Sequence, residues 1–356
     1  MKKNAKKIIL NYRNLYIFLI KNIKQIIILC FILILFPVYP VAQNYWPVKN
    51  WRKSTPTKQG FDNRLFSDLH EHIDQKMPHI QSTLIIRNGY LVFKYYRSPN
   101  VETTPNIIQC VTKSILSALV GVAIQEGYIK SIDQKMIDFF PEYNIPDLEP
   151  LTKKITIEHL LTMTAEFMSA SSSVELKIKE GTRNNPGQKF LYDNGSIQVL
   201  VVLLARATGM STMDFAKKYL FDPLGIKSVT WTKFKDGYYN GGNGLMILPK
   251  DMAKIGYLYL KKGNWKGKQI IPVDFVNNSI QKHNEGGYPE NEAYGYLWWI
   301  TTIEGYSAYL AAGYGGQYII VIPELDMIIT TTSNLDRHHY ENKDILKKFI
   351  IPAIKK

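Results

Sequence analysis

The sequence contains little cysteine, because only Cys30 and Cys110 among its 356 residues carry a thiol. Cys30 falls in an N-terminal segment that we expect to be removed on export, which would leave Cys110 alone and exclude an intramolecular disulfide. A single thiol in an exported protein is either a small buried apolar residue or a reactive group. Composition does not distinguish these two roles.

The chain also lacks internal repeats and linkers rich in proline, serine or glycine, which argues against a modular array of small units. Apolar residues make up 46% of the sequence and aromatic residues 12%, enough to bury a substantial core. One large domain, or two lobes that share an interface, is therefore expected.

Acidic residues are absent from the first 43 positions, which contain seven lysines and arginines. This segment carries half of the formal net charge of +14 and leaves +7 on a remainder in which both signs are mixed. Because no basic run interleaved with aromatic residues follows, the charge does not indicate a nucleic-acid partner.

An apolar run of eleven residues, Ile26–Phe36, follows the basic segment and leads into a stretch with two prolines. The run is too short to cross a bilayer comfortably, so we predict a signal peptide cleaved near Ala42 or Gln43 and an exported protein, periplasmic or secreted. The basic segment is long and has its own apolar patch, Tyr16–Ile20. An uncleaved N-terminal anchor, the one predicted contact with a membrane, is therefore the alternative.

Behind this leader, residues 1–43, we predict one folded domain, residues 44–356. The spacing of its apolar residues predicts a helix over Asp62–Lys76, and Asn88-Gly89 between two β-rich runs predicts a hairpin at about 82–97. A helix from Cys110 to Gln125 follows. Further helices are predicted at Ile157–Met163, Gly195–Thr208, Thr212–Leu220, Pro249–Lys261, Pro272–Lys282 and 342–354, and strands at Ser307–Ala312, Tyr318–Ile322 and Met327–Thr332.

Strand patterns at both ends of this domain, around a helical middle, predict an α+β fold. One mixed or antiparallel sheet would be built from the N- and C-terminal segments, with a sheet lobe at about 60–104 and 300–356. A mainly helical lobe at about 105–299 would be inserted between them, and a ligand cleft is expected at the junction. His70 and His72 diverge on the first helix, so we predict no metal site there.

The segment Cys110-Val111-Thr112-Lys113 opens a predicted helix and has the content of an acyl-transfer site. A spacing of three residues puts the thiol of Cys110 and the ammonium of Lys113 on one helix face. The free N–H groups and partial positive charge at a helix N-terminus favour a thiolate and an oxyanion.

Two further segments complete a pattern that resembles the serine β-lactamases and penicillin-binding proteins. Tyr192-Asp193-Asn194 is similar to the second motif of the class C β-lactamase and esterase branch. The run 312–317, Ala-Gly-Tyr-Gly-Gly-Gln, is similar to the third motif of family esterases and 6-aminohexanoate-dimer hydrolases. The likeness extends over about residues 60–335, with the motifs in the family's order, and implies a β-lactamase/transpeptidase-like fold.

The resemblance implies a role for each matching residue. Cys110 stands where the family has its nucleophilic serine, and Lys113 and Tyr192 would exchange its proton and deliver one to the leaving group. Asn194 would hold the substrate amide. The oxyanion would bind the backbone N–H groups of Cys110 and Tyr314, and Gly313 and Gly315 would belong to the same oxyanion and substrate-binding segment. No cofactor or metal is implied.

Cysteine in place of serine leaves two functions open. A thiol is acidic and nucleophilic, so Cys110 could form a thioester with help from Lys113. Alternatively, Cys110 is a small apolar residue in a pseudoenzyme that binds a peptide or cell-wall fragment in the same cleft. Retention of Lys113, Tyr192 and Asn194 favours an acyl-hydrolase.

The third motif has no lysine or histidine before Gly313, which argues against β-lactam hydrolysis as the main activity because that cation would bind a substrate carboxylate. A small ester, amide or peptide is the predicted substrate. Glu166 is interpreted as a solvated loop residue, and Trp298-Trp299 as packing residues rather than a substrate platform.

Overall fold

The centre of the fold is a nine-stranded sheet, seen in a computed structural model that describes residues 45–171 and 173–355. The leader and Cys30 lie outside these residues. In spatial order the strands are β1 (Arg52–Lys53), β3 (Tyr90–Tyr96), β2 (Ile80–Arg87), β14 (Met327–Ser333), β13 (Gln317–Ile322), β12 (Tyr306–Gly313), β11 (Trp299–Ile303), β10 (Glu292–Tyr294) and β9 (Asn284–Gly287). Only the pairing of β1 with β3 is parallel. The predicted mixed sheet built from both ends of the domain is confirmed.

Smaller β elements come between β3 and β9 in the sequence. A three-stranded sheet contains β4 (Asn106–Ile107), β6 (Leu245–Ile247) and β5 (Val229–Trp231), and a short hairpin contains β7 (Asn264–Trp265) and β8 (Lys268–Gln269). The α-helices are α1 (Asn63–Lys76), α2 (Pro99–Thr103), α3 (Val111–Gln125), α4 (Ile157–Leu161), α5 (Val174–Glu180), α6 (Asn194–Thr208), α7 (Thr212–Ala216), α8 (Asp222–Leu224), α9 (Pro249–Leu260) and α10 (Val273–Ser279).

The first helix and hairpin form as their sequences predict. Asp62 caps α1 by accepting a hydrogen bond from the backbone N–H of Arg64 at 2.8 Å, and the apolar face of the helix is buried. Asn88 and Gly89 both have positive φ, 50° and 73°, between strands that pair Arg87 with Tyr90. This is the geometry of a two-residue turn whose twist suits a hairpin.

Helix α3 lies in the core, and its residues from Val111 to Ala123 are all buried. It packs on β12 on one side and on α6 on another. A mainly apolar helix that is buried on every side suits this position, and Gly127 with φ 78° follows its end. The core helix therefore presents its N-terminus, with Cys110, at the edge where strand β12 ends.

Two predicted boundaries differ from the structure. Strands β9 and β10, at residues 284–294, extend the main sheet, so the limit of 300 for the sheet lobe is too late. The C-terminal helix expected at 342–354 is broken into a 3-10 turn, Tyr340–Lys343, and a π-helical turn, Leu346–Ile350. Pro352 cannot donate a helical hydrogen bond and ends the second turn.

Residues Tyr45–Lys356 form one compact unit. Within the described part of the chain, no single helix has the length and apolar content needed to cross a membrane. The helical stretches Asn194–Thr208 and Thr212–Leu224, bent by 72° to each other, reach that length and composition only as a pair.

Candidate active site

Cys110 is presented by a sharp turn between β4 and α3. The preceding residue, Gln109, has φ 49°, an uncommon conformation for a residue with a side chain. The Thr112 hydroxyl donates to the Gln109 carbonyl at 2.7 Å and holds this turn. Strained backbone of this kind is concentrated at functional sites, and here it aims the sulfur out of the core helix.

Three neighbouring groups lower the pKa of the Cys110 thiol. Burial raises the pKa of the thiol, but the charge of Lys113, hydrogen bonds from the Tyr192 hydroxyl and the Lys113 ammonium, and the backbone N–H of Tyr314 together lower it. The net direction is downward, and the residue remains partly exposed. This is the environment of a reactive thiol, because an inert buried cysteine has a raised pKa.

Lys113 is buried, with 1% of its surface exposed, and its ammonium donates to the carbonyl oxygen of Gly242 at 2.8 Å. The ammonium also lies 4.8 Å from the ring centre of Tyr192. Burial lowers the pKa of Lys113, while the nearby Cys110 and Asp193 oppose that effect. A charged ammonium at this position would favour the thiolate form of Cys110.

An aromatic cluster fixes the phenol of Tyr192. Its ring stacks on Trp299 at 5.7 Å, and Phe190 and Tyr294 contact the same pair of rings. Burial and the charge of Cys110 raise the pKa of Tyr192 well above its ordinary value, so the phenol keeps its proton. Trp299 packs here as expected, and Trp298 packs on Tyr259 and Tyr309.

A buried ion pair that the sequence analysis missed holds the second motif. Lys177 and Asp193 are 2.8 Å apart, and their side chains are 2% and 18% exposed. Asp193 also accepts hydrogen bonds from the backbone N–H groups of Gly195 and Ser196, which cap α6. Lys177 comes from α5, a helix that no prediction included.

Asn194, the first residue of α6, is exposed at the surface beside Gly242. A Cβ on Gly242 would lie 2.9 Å from the side-chain oxygen of Asn194. The carbonyl oxygen of Gly242 also accepts the hydrogen bond from Lys113. Gly242 therefore lies next to both the Asn194 amide and the Lys113 ammonium. The structure therefore brings the second motif to the first.

The third motif approaches Cys110 through a glycine without a side chain. A Cβ on Gly313 would lie 2.6 Å from the carbonyl oxygen of Ile108 and 3.0 Å from the backbone nitrogen of Cys110. Strand β12 ends at Gly313, so the following residues form a turn rather than a continued strand. In this turn Gly315 has φ 83°, and Tyr314 keeps 44% of its surface exposed.

Glu166 corrects one expectation. It is 7% exposed rather than solvated, has φ 49°, and accepts a hydrogen bond from the Asn184 amide at 2.7 Å. Lys189 lies 3.8 Å from its other oxygen. Glu166 therefore braces the loop that leads to Tyr192, a role that its isolated position in the sequence did not reveal.

Comparisons with known proteins agree with this geometry. Residues 64–349 match the family described as Beta-lactamase. The 6-aminohexanoate-dimer hydrolase of Paenarthrobacter ureafaciens is 22% identical over 303 residues, which cover 75% of each chain. An uncharacterized protein of Alkalihalophilus pseudofirmus is 24% identical over 296 residues, 71% of this chain and 83% of the other.

Solved structures show the same fold. The octameric penicillin-binding protein homologue from Pyrococcus abyssi superposes with a TM-score of 0.66 at 20% identity, over 82% of this chain and 77% of its own. The family match over residues 64–349 confirms the predicted relationship, and the superposition confirms the predicted fold class. The chain belongs to the β-lactamase family of hydrolases.

Proposed function

We propose that this protein is an exported acyl-hydrolase that cleaves a small ester or amide through a thioester on Cys110. The observation that supports the proposal is the grouping of three motifs around Cys110. Lys113 Nζ lies 4.8 Å from the ring centre of Tyr192, and a Cβ on Gly313, next to the donor Tyr314, would lie 3.0 Å from the backbone nitrogen of Cys110. These groups lower the pKa of the thiol. A cysteine retained only as a packing residue needs none of these donors.

The chemistry follows from the positions of the groups. The thiolate of Cys110 attacks the carbonyl carbon, a C–S bond forms, and the carbonyl electron pair moves to the oxygen. That oxygen binds the backbone N–H groups of Cys110 and Tyr314. When the tetrahedral intermediate collapses, the bond to the alcohol or amine breaks and the leaving group takes a proton from Tyr192, which Lys113 replaces.

Water completes the cycle. It attacks the thioester while Tyr192 accepts its proton and passes the phenol proton to Lys113, which became neutral in the first half-reaction. The C–S bond then breaks, the carboxylic acid leaves, and the thiolate is restored beside the ammonium. Asn194, next to Lys113, is placed to hydrogen-bond the acyl amide of a substrate.

The substrate is proposed to be small and without a carboxylate that must be bound at the third motif. Ala312 precedes Gly313, so the cation used by lactamases at that point is missing from the sequence. The similarity to a 6-aminohexanoate-dimer hydrolase favours an amide or ester of an aliphatic acyl group. Aryl esters with short acyl chains are therefore suitable probes.

Intact-mass spectrometry after mixing with a p-nitrophenyl ester tests the proposal. We expect a transient mass increase of one acyl group in the natural protein and none in Cys110→Ala. Cys110→Ser is the informative comparison, because ester turnover by this variant reports whether the surrounding groups support catalysis. No adduct, together with alkylation of Cys110 no faster than in denatured protein, would identify a binding protein instead.

Export is a separate part of the proposal and depends on the leader, residues 1–43. We propose cleavage near Ala42 or Gln43 and a periplasmic or secreted mature domain beginning at about residue 44. N-terminal sequencing of protein recovered outside the cytoplasm tests this. A mature chain that still begins at Met1 in the membrane fraction would establish the anchored alternative.

A further inference from the structure

A polar cavity of about 560 Å³ lies beside the C-terminal end of α1. Its walls are the end of α1 with the residues that follow it, and the segment from residue 334 to residue 348. None of the residues that line it belongs to the site around Cys110. The function proposed above therefore does not account for it.

Two imidazoles and a carboxylate converge in this cavity. The side chains of His79, His339 and Glu341 each have a potential ligand atom within 4.8 Å of the others. Glu341 Oε1 lies 3.2 Å from His339 Nδ1 and 3.9 Å from His79 Nε2. One oxygen thus lies close to a nitrogen of each ring, so three potential ligand atoms of the types that bind zinc are grouped together.

A carboxylate orients the more buried of the two histidines. His339 is 2% exposed, and its Nε2 lies 2.9 Å from Asp336 Oδ1. When Nε2–H donates to that carboxylate, Nδ1 carries the lone pair and faces Glu341. A carboxylate behind a histidine is the usual support for a metal-binding imidazole, since it fixes the ring and raises its basicity.

The charges around the cavity balance. Asp336, Glu341 and Asp344 line it together with Lys76, Arg337 and Lys348. Arg337 already pairs with Glu341, so a cation entering the cavity competes with the guanidinium for one carboxylate. The two imidazoles determine which cation can bind. Nitrogen ligands bind zinc and its neighbours in the first transition row but not Mg²⁺ or Ca²⁺.

We propose that His79, His339 and Glu341 form a binding site for a divalent transition metal ion of the zinc type, with the fourth position open to the cavity. Nitrogen, nitrogen and oxygen donors with one open position are a common ligand set for Zn²⁺. This site is independent of the proposed hydrolase activity.

Binding requires a local exchange of partners. His79 Nε2 now lies 2.8 Å from the side-chain oxygen of Asn342, and the two imidazole rings are stacked at 3.8 Å with an angle of 4°. A metal in the plane of His339 lies outside the plane of His79, so His79 must rotate away from Asn342 to reach it. The hydrogen bond to Asn342 is replaced by the metal bond.

Isothermal titration of the full chain with ZnCl₂, and separately with MgCl₂, tests the proposal. The protein is prepared without a histidine tag and with its thiols alkylated, because thiolates also bind zinc. We expect one equivalent of Zn²⁺ to bind and no Mg²⁺. Titration with Co²⁺ gives a second readout, since ligation by two imidazoles and a carboxylate changes its visible absorption.

Variants locate the ion. His339→Ala and Glu341→Gln are expected to abolish stoichiometric binding, and Asp336→Asn to weaken it by about 10–100-fold, the usual cost of losing a supporting carboxylate. His72→Ala is the matched control, since His72 lines the same cavity outside the cluster. Glu341→Gln keeps the shape of a partly exposed side chain, so it remains informative if His339→Ala does not fold.

The results separate clearly. Loss of Zn²⁺ binding in Glu341→Gln with normal binding in His72→Ala supports the site. Absence of stoichiometric Zn²⁺ binding, or binding that Glu341→Gln leaves unchanged, overturns it. Neither result depends on turnover by Cys110, so failure of the hydrolase proposal would leave this test intact.

Discussion

Breaking the buried pair of Lys177 and Asp193 should unfold the second motif before it affects the rest of the fold. We consider Lys177→Met, Asp193→Asn and the double variant. Lys177→Met leaves Asp193 with three donors, the backbone N–H groups of Gly195 and Ser196 and the Ser196 hydroxyl. Asp193→Asn removes the negative charge beside the buried Lys177 ammonium, which keeps neutral partners, the Ser169 carbonyl and the Phe167 ring.

These remaining contacts set the order of the effects. Removing one member of a buried ion pair costs about 3–5 kcal/mol of the free energy of unfolding. We expect Lys177→Met near the lower end of that range, because its partner keeps three donors, and Asp193→Asn near the upper end. The double variant removes both charges, so its cost should fall short of the sum by about 2 kcal/mol.

Urea unfolding of the three variants at neutral pH measures this coupling. A coupling energy below about 0.5 kcal/mol would refute the reasoning, since contacting charges that depend on each other cannot be additive. The acylation rate of Cys110 is the second readout. It should fall in Lys177→Met, because Asp193 lies between Tyr192 and Asn194 in the chain.

The same pair makes stability depend on acid. Burial raises the pKa of Asp193, but the hydrogen bond and charge of Lys177 and the N–H of Gly195 bring it below its ordinary value. The carboxylate therefore stabilises the folded state above the unfolded-state pKa of about 4, and this contribution is lost as the pH falls through the lower folded value. In Asp193→Asn this part of the acid dependence should disappear.

Three further predictions concern the groups around the nucleophile. Lys113→Met removes the charge that lowers the pKa of Cys110, so the midpoint of iodoacetamide alkylation against pH should rise to at least the ordinary thiol value of about 8.5. Gly313→Ala places a Cβ against the backbone before α3, and urea unfolding should show a loss of about 1–3 kcal/mol. Trp299→Leu removes the ring stacked on Tyr192, and the acylation rate should fall while the pH midpoint of alkylation moves little.

Each of these three predictions would be contradicted by a specific result. An unchanged alkylation midpoint in Lys113→Met would mean that the ammonium does not act on the sulfur. Full stability of Gly313→Ala would show that the turn and the helix separate easily. Normal acylation by Trp299→Leu would remove the aromatic cluster from the positioning of the phenol.

Much of the fold follows from local patterns in the sequence. The hairpin at Asn88-Gly89 and the capped helix after Asp62 depend on neighbouring residues, and both form as predicted. The C-terminal helix does not, because Pro352 and the buried contacts of Asn342 act against a helical pattern that is otherwise amphipathic. Strands β9 and β10 are short, and only the pairing of β10 with β11 and of β9 with β10 identifies them.

The site also combines residues that local motifs predict with residues that depend on distant contacts. Cys110, Lys113 and Tyr192 were predicted from ordered motifs, and the structure brings them together. Lys177 and Glu166 were missed because each acts through a partner distant in the sequence, and no local pattern indicates that partner. Their signal is burial of a charged residue, which becomes visible only when the chain is folded.

The order of strands in the main sheet has a consequence for how the protein is made. The hairpin of β2 and β3 pairs with β14, at residues 327–333, so a nascent chain that has not reached this strand exposes an open β edge. Contacts between such distant parts of a chain form slowly. A partly synthesised chain cannot complete this sheet, so keeping it unfolded until β14 has been made forfeits no stable folded form. It also prevents aggregation through the unpaired edge of β2.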